Sequence, residues 1–119
     1  MGGVQERRTF AALRTSGIRV RRGPLSLTYL DDGADDGTRL AFAVTKKVGT
    51  AVTRNRIRRR IRAVMVDLMR TTPDLVPNGA ILMSVEPAAV GRTPDELRND
   101  VLRLLDALAA RRQPVLEDR

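Results

Sequence analysis

Apolar residues recur along this 119-residue chain with a period of two in some segments and of three to four in others. In Leu25-Ser26-Leu27-Thr28-Tyr29-Leu30, alternating Leu25, Leu27 and Tyr29 mark a half-buried strand. The glycines and aspartates of Asp31 to Thr38 mark a turn or loop. Arg39 to Thr45 reads as a second strand, with Leu40, Phe42 and Val44 on one face and Ala41 and Ala43 on the other. These two strands are expected to pair as an antiparallel hairpin. A further strand over Ile18 to Arg22 is compatible with the pattern. Gly79 to Val85 is apolar enough for a central strand, with Ile81, Met83 and Val85 facing one way and Leu82 the other.

The helical segments are three. A short one over Thr9 to Thr15 carries Phe10 and Leu13 on one side and is ended by Gly17. A long one follows Lys46-Lys47-Val48-Gly49, with Thr53 as its expected N-cap. Ile57, Ile61, Val64 and Leu68 form its core stripe, and Pro73 and Pro77 stop it. The last opens at Thr93-Pro94-Asp95-Glu96, where threonine caps, proline suits the first turn and the acid completes a capping box. Leu97, Val101, Leu104, Leu105 and Leu108 are its buried face, and the tail after Ala110 is expected to fray. The order α-β-β-β-α-β-α describes an α+β fold. It is an α/β sandwich around one central, mostly antiparallel sheet of about four strands with three helices. One domain spans 1–119, with an ordered core over about 7–110.

Composition narrows the chemistry. The chain has no cysteine and no histidine, which excludes disulfides, thiolate metal sites and imidazole catalysis. No apolar run approaches a membrane span and the first ten residues lack the apolar stretch of a secretory signal, so neither a membrane nor an export route is expected and the location fits a reducing cytoplasm. The net charge is +8, from 22 basic and 14 acidic residues. Residues 1–30 sum to +5, 31–38 to −4, 39–70 to +9 and the remainder to −2. Lysine occurs only at Lys46 and Lys47; every other basic residue is arginine. A positive field concentrated mid-chain points to a polyanionic partner.

Its densest part is Arg54-Asn55-Arg56-Ile57-Arg58-Arg59-Arg60-Ile61-Arg62, six arginines in nine residues. With Ile57 at zero and about 100° per residue, Ile61, Val64 and Leu68 fall within about 40° of it. Asn55, Arg58, Arg59 and Arg62 then occupy an arc of about 100° to 200°, and Arg56 and Arg60 the opposite flank near 260° to 300°. Arg54 lies closer to the core side, in the first turn. No acid occurs between Arg39 and Val66, so the arginines have no i,i+4 partners and repel one another. A solvated face of balanced charge would not show that, whereas an anion-binding ridge would. Arginine's planar fork bonds phosphate oxygens in pairs and stacks on bases, and the helix N-terminus adds its dipole. The narrow apolar stripe suits a core rather than a membrane surface.

Aromatics are few: Phe10, Tyr29 and Phe42. Phe10 lies near a second basic cluster of Arg14, Arg19, Arg21 and Arg22, so it is either a core residue or a platform for a base in a charged groove. Tyr29 and Phe42 read as sheet residues. Asp31, Asp32, Asp35 and Asp36 lack the spacing of a calcium loop and read as a solvated loop. No catalytic constellation, small-molecule cofactor motif or protein metal site is found.

The run from Ala43 to Arg62, with Thr45-Lys46-Lys47-Val48-Gly49 ending a strand and Arg54-Asn55-Arg56 opening a basic helix, resembles the signature of the bacterial ribonuclease P protein subunit. The resemblance extends over roughly Arg7 to Ala110. It implies a ribonucleoprotein endoribonuclease that removes the 5′ leader of precursor tRNA, in which the RNA subunit, with bound Mg2+, is the catalyst and the protein an accessory. It further implies that Arg54, Asn55, Arg56, Arg58, Arg59 and Arg62 contact ribonuclease P RNA and help settle its metal ions. Lys46 and Lys47 would add phosphate contacts. Phe10, Arg14 and Arg22, with the sheet face beside the first helix, would line a cleft for the single-stranded leader. The family's crossover around the Arg-Asn-Arg helix is left-handed, an exception to the usual rule. Two departures stand out: Arg14 where many members carry a second aromatic, and Glu86 where many carry a basic residue after the fourth strand. A non-catalytic basic module, such as a ribosome-associated RNA binder, is the competing reading. A DNA-binding regulator would need a helix-turn-helix pattern that is not found.

Overall fold

Gly79–Val85 is a strand with six of its seven residues buried. Apolar side chains on both faces need cover on both faces, and the sheet is built around this strand. The computed structural model describes residues 17–31 and 37–112. Its regular elements are β1 (Ile18–Arg22), β2 (Leu25–Leu30), β3 (Thr38–Val44), α1 (Ala51–Thr71), β4 (Gly79–Val85) and α2 (Pro94–Arg112). Short 3₁₀ turns at Lys46–Val48, Pro73–Leu75 and Pro87–Gly91 join them. The helix expected at Thr9 to Thr15 lies outside the described residues, so two of the three expected helices are seen.

The strand order is β1-β2-β4-β3. β1 and β2 pair antiparallel across Gly23-Pro24, β2 and β4 pair antiparallel, and β3 and β4 pair parallel from Thr38 opposite Gly79 to Val44 opposite Val85. The expected hairpin between β2 and β3 is therefore corrected: β4 inserts between them. Alternation tells which face of a strand is buried but not which neighbour it takes, and the strand with the most apolar surface occupies the middle.

Both helices lie on one face of the sheet. Leu25, Leu27, Tyr29, Leu40, Ile81, Met83 and Val85 meet Ile57, Ile61, Met65 and Leu68 of α1 and Leu97, Val101, Leu104, Leu105 and Leu108 of α2 in one core. Met65 takes the fully buried place in the α1 stripe, and Val64 is only partly buried beside it. The opposite face carries mostly small residues, with an arginine margin on β1 and Leu82 on β4, in rows Arg21–Ser26–Ser84–Ala43 and Arg19–Thr28–Leu82–Ala41. Ser26 and Thr28 of β2 and Ala80 and Leu82 of β4 are buried on this face, while Ser84, Ala41 and Ala43 are partly open.

Helix ends follow local chemistry. The N-cap of α1 is Thr50 rather than Thr53: the Thr50 hydroxyl accepts the Thr53 N–H at 3.2 Å, and Thr53 sits in the first turn. At α2, Thr93 Oγ1 accepts the Glu96 N–H at 3.1 Å and Glu96 Oε1 accepts the Thr93 N–H at 2.9 Å, the reciprocal capping box. α2 runs to Arg112, two residues beyond the expected end. Gly79 opens β4 at φ +132°, where an added Cβ would lie 2.7 Å from the Leu30 carbonyl oxygen and 2.9 Å from the Tyr29 ring. That close approach lets the Tyr29 hydroxyl donate to the Asn78 carbonyl at 2.6 Å.

Candidate nucleic-acid interface

β3 ends at Val44, and the chain turns through Lys46–Val48 into α1. The Val48 N–H donates to the Thr45 carbonyl at 3.1 Å and the Gly49 N–H to the Lys46 carbonyl at 3.1 Å, which tightens the turn. Val48 is buried while Lys46 and Lys47 are exposed, so one apolar side chain anchors the turn and two ammonium groups face water. Gly49 has φ +149°, and a Cβ there would crowd the Thr53 methyl at 3.2 Å. Gly49 thus lets the junction close onto the first turn of α1, which contains no acid.

On α1 the ridge predicted by helical arithmetic is present. Asn55, Arg56, Arg59, Arg60 and Arg62 are exposed, and Arg54 and Arg58 are half-buried. Arg54 turns back to the junction, donating from Nε to the Gly49 carbonyl at 3.3 Å. Arg58 donates to the Asn55 Oδ1, which holds the amide with its NH₂ free to face a ligand. The Arg62 guanidinium stacks 5.4 Å from the centre of the Phe42 ring. Arg56, Arg59 and Arg60 make no hydrogen bond or ion pair with the described residues. The first acid after the ridge, Asp67, is taken up by Arg70 at 2.8 Å and by Arg98 of α2 at 2.9 Å. It ties the two helices together and leaves the ridge uncompensated.

The remaining predicted residues are placed as follows. Phe10 and Arg14 lie outside the described residues. Arg22 is exposed at the end of β1, opposite Leu25, and so shares the helix side of the sheet with Val20; Arg19 and Arg21 alternate onto the small-residue face. Glu86 forms an ion pair with Arg21 at 2.9 Å, which gives this acid a structural partner at the margin of that face. Phe42 is partly buried against the core and Tyr29 is in it, so both are sheet residues as expected. Ala41 and Ala43 of β3 and Ser84 of β4 are partly open positions of this face, and β3 leads directly to Lys46, Lys47 and the start of α1. Sequence reasoning missed Asp100, buried to 1 % exposure, where Arg92 donates to both carboxylate oxygens at 3.1 and 2.9 Å. That hydrogen bonding holds the Arg92 pKa above its ordinary value. The only trace in the sequence was position 100's place on the flank of the Leu97–Val101–Leu104 stripe.

Among the described residues no group of three or more carboxylate, imidazole or thiol side chains gathers to hold a metal ion. No helix there is long and apolar enough to cross a membrane.

Comparison with known proteins bears on the family and the fold. The family model described as Ribonuclease P matches residues 3–109. The ribonuclease P protein component of Beutenbergia cavernae is 39% identical over 82 residues, 69% of this chain and 66% of that protein. That of Gluconacetobacter diazotrophicus is 36% identical over 103 residues, 86% of each. Among solved structures, the Staphylococcus aureus RNase P protein superposes with a TM-score of 0.77 at 21% identity, covering 91% of this chain and 95% of that one. The Thermotoga maritima RNase P protein gives 0.74 at 21% identity, covering 90% and 97%. By the match over nearly its whole length, this chain belongs to the ribonuclease P protein family.

Proposed function

We propose that the exposed arginine ridge of α1 binds the phosphate backbone of ribonuclease P RNA and that the adjoining sheet face receives the 5′ leader of precursor tRNA. As a member of its family, the chain is the protein component of a ribonucleoprotein endoribonuclease that acts in tRNA 5′ processing, with the protein as accessory subunit. The observation that carries the proposal is the acid-free run of α1, where Arg56, Arg59 and Arg60 have no partner among the described residues. Guanidinium groups held on a rigid helix, with no internal acid to satisfy them, are set to neutralise phosphates. Asn55, oriented by Arg58, supports contact with a sugar hydroxyl or base edge. Lys46 and Lys47 extend the positive surface onto the turn, and Arg54 braces that turn against the helix.

The leader is single-stranded and needs a surface that admits a backbone closely. Ala41, Ala43 and Ser84 offer small side chains there. Phe10 and Arg14 precede this face in the chain and would supply a stacking ring and a charge, while Arg19 and Arg21 border it on β1 and Arg22 lies at the end of β1 on the helix side. The small-residue face favours phosphate and sugar contacts over base reading, which suits leaders of varied sequence. Mg2+, bound mainly by the RNA, would supply charge neutralisation and activation of water for attack. The arginines of α1 cannot ligate a cation; their part is to draw RNA phosphates into place. This activity places the protein with its RNA in the cytoplasm.

The test is reconstitution. The protein is added to a bacterial ribonuclease P RNA at low magnesium, and leader removal from precursor tRNA is timed. Stimulation is expected; its absence overturns the proposal.

A further inference from the structure

α2 ends beside β1, and the two elements bring together arginines from opposite ends of the chain. Arg111 Nη1 donates to the Arg19 carbonyl at 3.1 Å, across 92 positions of sequence. The Arg112 guanidinium lies 5.1 Å from the centre of the Tyr29 ring, and Tyr29 pairs with Ile18 at the start of β1. Gly23, just past the end of β1, faces Asp100. α2 therefore runs antiparallel to β1, from Asp100 near one end to Arg111 near the other. Asp100, Arg103, Ala107 and Arg111 recur at spacings of three, four and four and share one flank of α2, within an arc of about 80°. The opposite flank turns toward α1, where Arg98 meets Asp67. Arg103 thus stands on the β1 side, between the two ends.

Arg19, Arg103, Arg111 and Arg112 are all exposed. None forms an ion pair with an acid among the described residues, although Arg21 beside them is matched by Glu86 and Arg92 by Asp100. The nearest acid on the helix, Asp106, lies about 60° beyond Arg103, toward solvent. β1 is one edge strand and β3, which leads into α1, is the other. This second unpaired basic surface is therefore separated from the α1 ridge by the width of the sheet. A ribonucleic acid strand on α1 does not cover it.

We propose that the β1–α2 edge, through Arg19, Arg103, Arg111 and Arg112, is a second RNA-backbone contact that holds a strand other than the one on the α1 ridge. The proposal rests on the ribonucleoprotein function above. The ligand chemistry is a run of phosphates recognised by charge and without base reading: the four side chains are guanidinium groups and the only ring among them, Tyr29, is buried under Arg112. Two RNAs could supply those phosphates. One is the distal part of the 5′ leader, because Arg19 and Arg21 border the small-residue face. The other is a separate helix of the RNA subunit.

The experiment uses the full chain carrying Arg103→Gln, Arg111→Gln and Arg112→Gln, beside the corresponding triple Arg→Lys protein. Thermal unfolding checks the fold of each. Affinity of the protein for the RNA subunit, and of the assembled holoenzyme for precursor tRNAs with short and long leaders, is measured across a salt series. The Gln protein is expected to lower the log–log salt slope by about two to three units in one of these equilibria. The Lys protein should retain most of the slope, because the charge is kept. A loss confined to long-leader substrate assigns the strand to the leader; a loss in assembly assigns it to the RNA subunit. Unchanged slopes in all of these measurements overturn the proposal. Should the triple protein fail to fold, Arg103→Gln alone removes a side chain with no bond to the described residues, and a slope lowered by about one unit is expected; no change overturns the proposal. If wild-type protein does not assemble with the RNA at all, it is the parent function that fails, which the reconstitution assay shows independently.

Discussion

Replacing Arg56 and Arg59 together by glutamine removes two charges from the α1 ridge without removing any bond to the described residues, since neither side chain has one. Stability should therefore change little. Relief of like-charge repulsion with Arg60 and Arg62 offsets the small loss of packing along the arginine stems. Binding should change in a defined way. Each phosphate contact contributes about 0.9 to the slope of log affinity against log salt on duplex DNA, and with that value carried to structured RNA the double variant should lose about 1.8 units. Over a fourfold rise in salt, wild type should then lose about twelvefold more affinity for the RNA subunit than the variant does. The assay is a set of binding isotherms at four or more salt concentrations, with thermal unfolding as the control for fold. An unchanged slope with weakened affinity would mean that the two arginines act on RNA indirectly. An unchanged slope and affinity would place the RNA elsewhere and refute the reasoning from unpaired arginines.

Thr50→Ala removes the hydroxyl that accepts the Thr53 N–H and should cost about 1 kcal/mol in denaturant unfolding, whereas Thr53→Ala should cost less. Gly79→Ala, with its Cβ 2.7 Å from the Leu30 carbonyl at φ +132°, should lower the melting temperature more than Gly91→Ala, where space is open. Glu96 has its pKa lowered, chiefly by the Thr93 N–H, so its folded-state value lies below its unfolded one. Its contribution should be fully present above the ordinary glutamate pKa and vanish as pH falls through the lower folded value; in Glu96→Gln, unfolding measured across acid pH should lack that component. Finally, the ridge pairs Arg54–Arg58, Arg56–Arg60 and Arg58–Arg62 repel at i,i+4, so added salt should raise the melting temperature of the free protein by a few degrees while weakening RNA binding. A melting temperature that falls with salt would show that attractive pairs dominate instead.

What the sequence revealed, and what it hid, divides along a physical line. Burial faces were legible because period follows directly from backbone geometry. The two-sided apolar run of β4 and the α2 leucines lie where their spacing put them, and the α1 stripe does so except that Met65 rather than Val64 takes its third buried place. Strand partners were not legible, since Leu25 to Leu30 and Arg39 to Thr45 satisfy a hairpin and a β4-centred sheet equally well until β4 claims the middle. Thr50 and Thr53 are both competent caps, and only the path of the turn through Gly49 decides between them. Within the site, the α1 ridge needed only helical arithmetic. The juxtaposition of Arg19 with Arg111 needed tertiary structure, because 92 positions separate them and no local pattern links them.

The topology also explains how a strongly self-repelling helix stays folded. α1 joins two adjacent parallel strands, β3 and β4, so both of its ends are tied to the sheet's register. Ile57, Ile61, Met65 and Leu68 hold one side in the core, and Asp67 clasps the other helix through Arg98. Burying four such side chains contributes about 6–12 kcal/mol against exposure, before any entropy is subtracted. Like-charge pairs on the ridge cost about 0.2–0.5 kcal/mol each, a minor debit beside that burial. The sheet and core thus permit α1 to dispense with internal acids. A helix stabilised mainly by surface ion pairs could not do so, and its arginines would meet a phosphate only by first giving up a carboxylate.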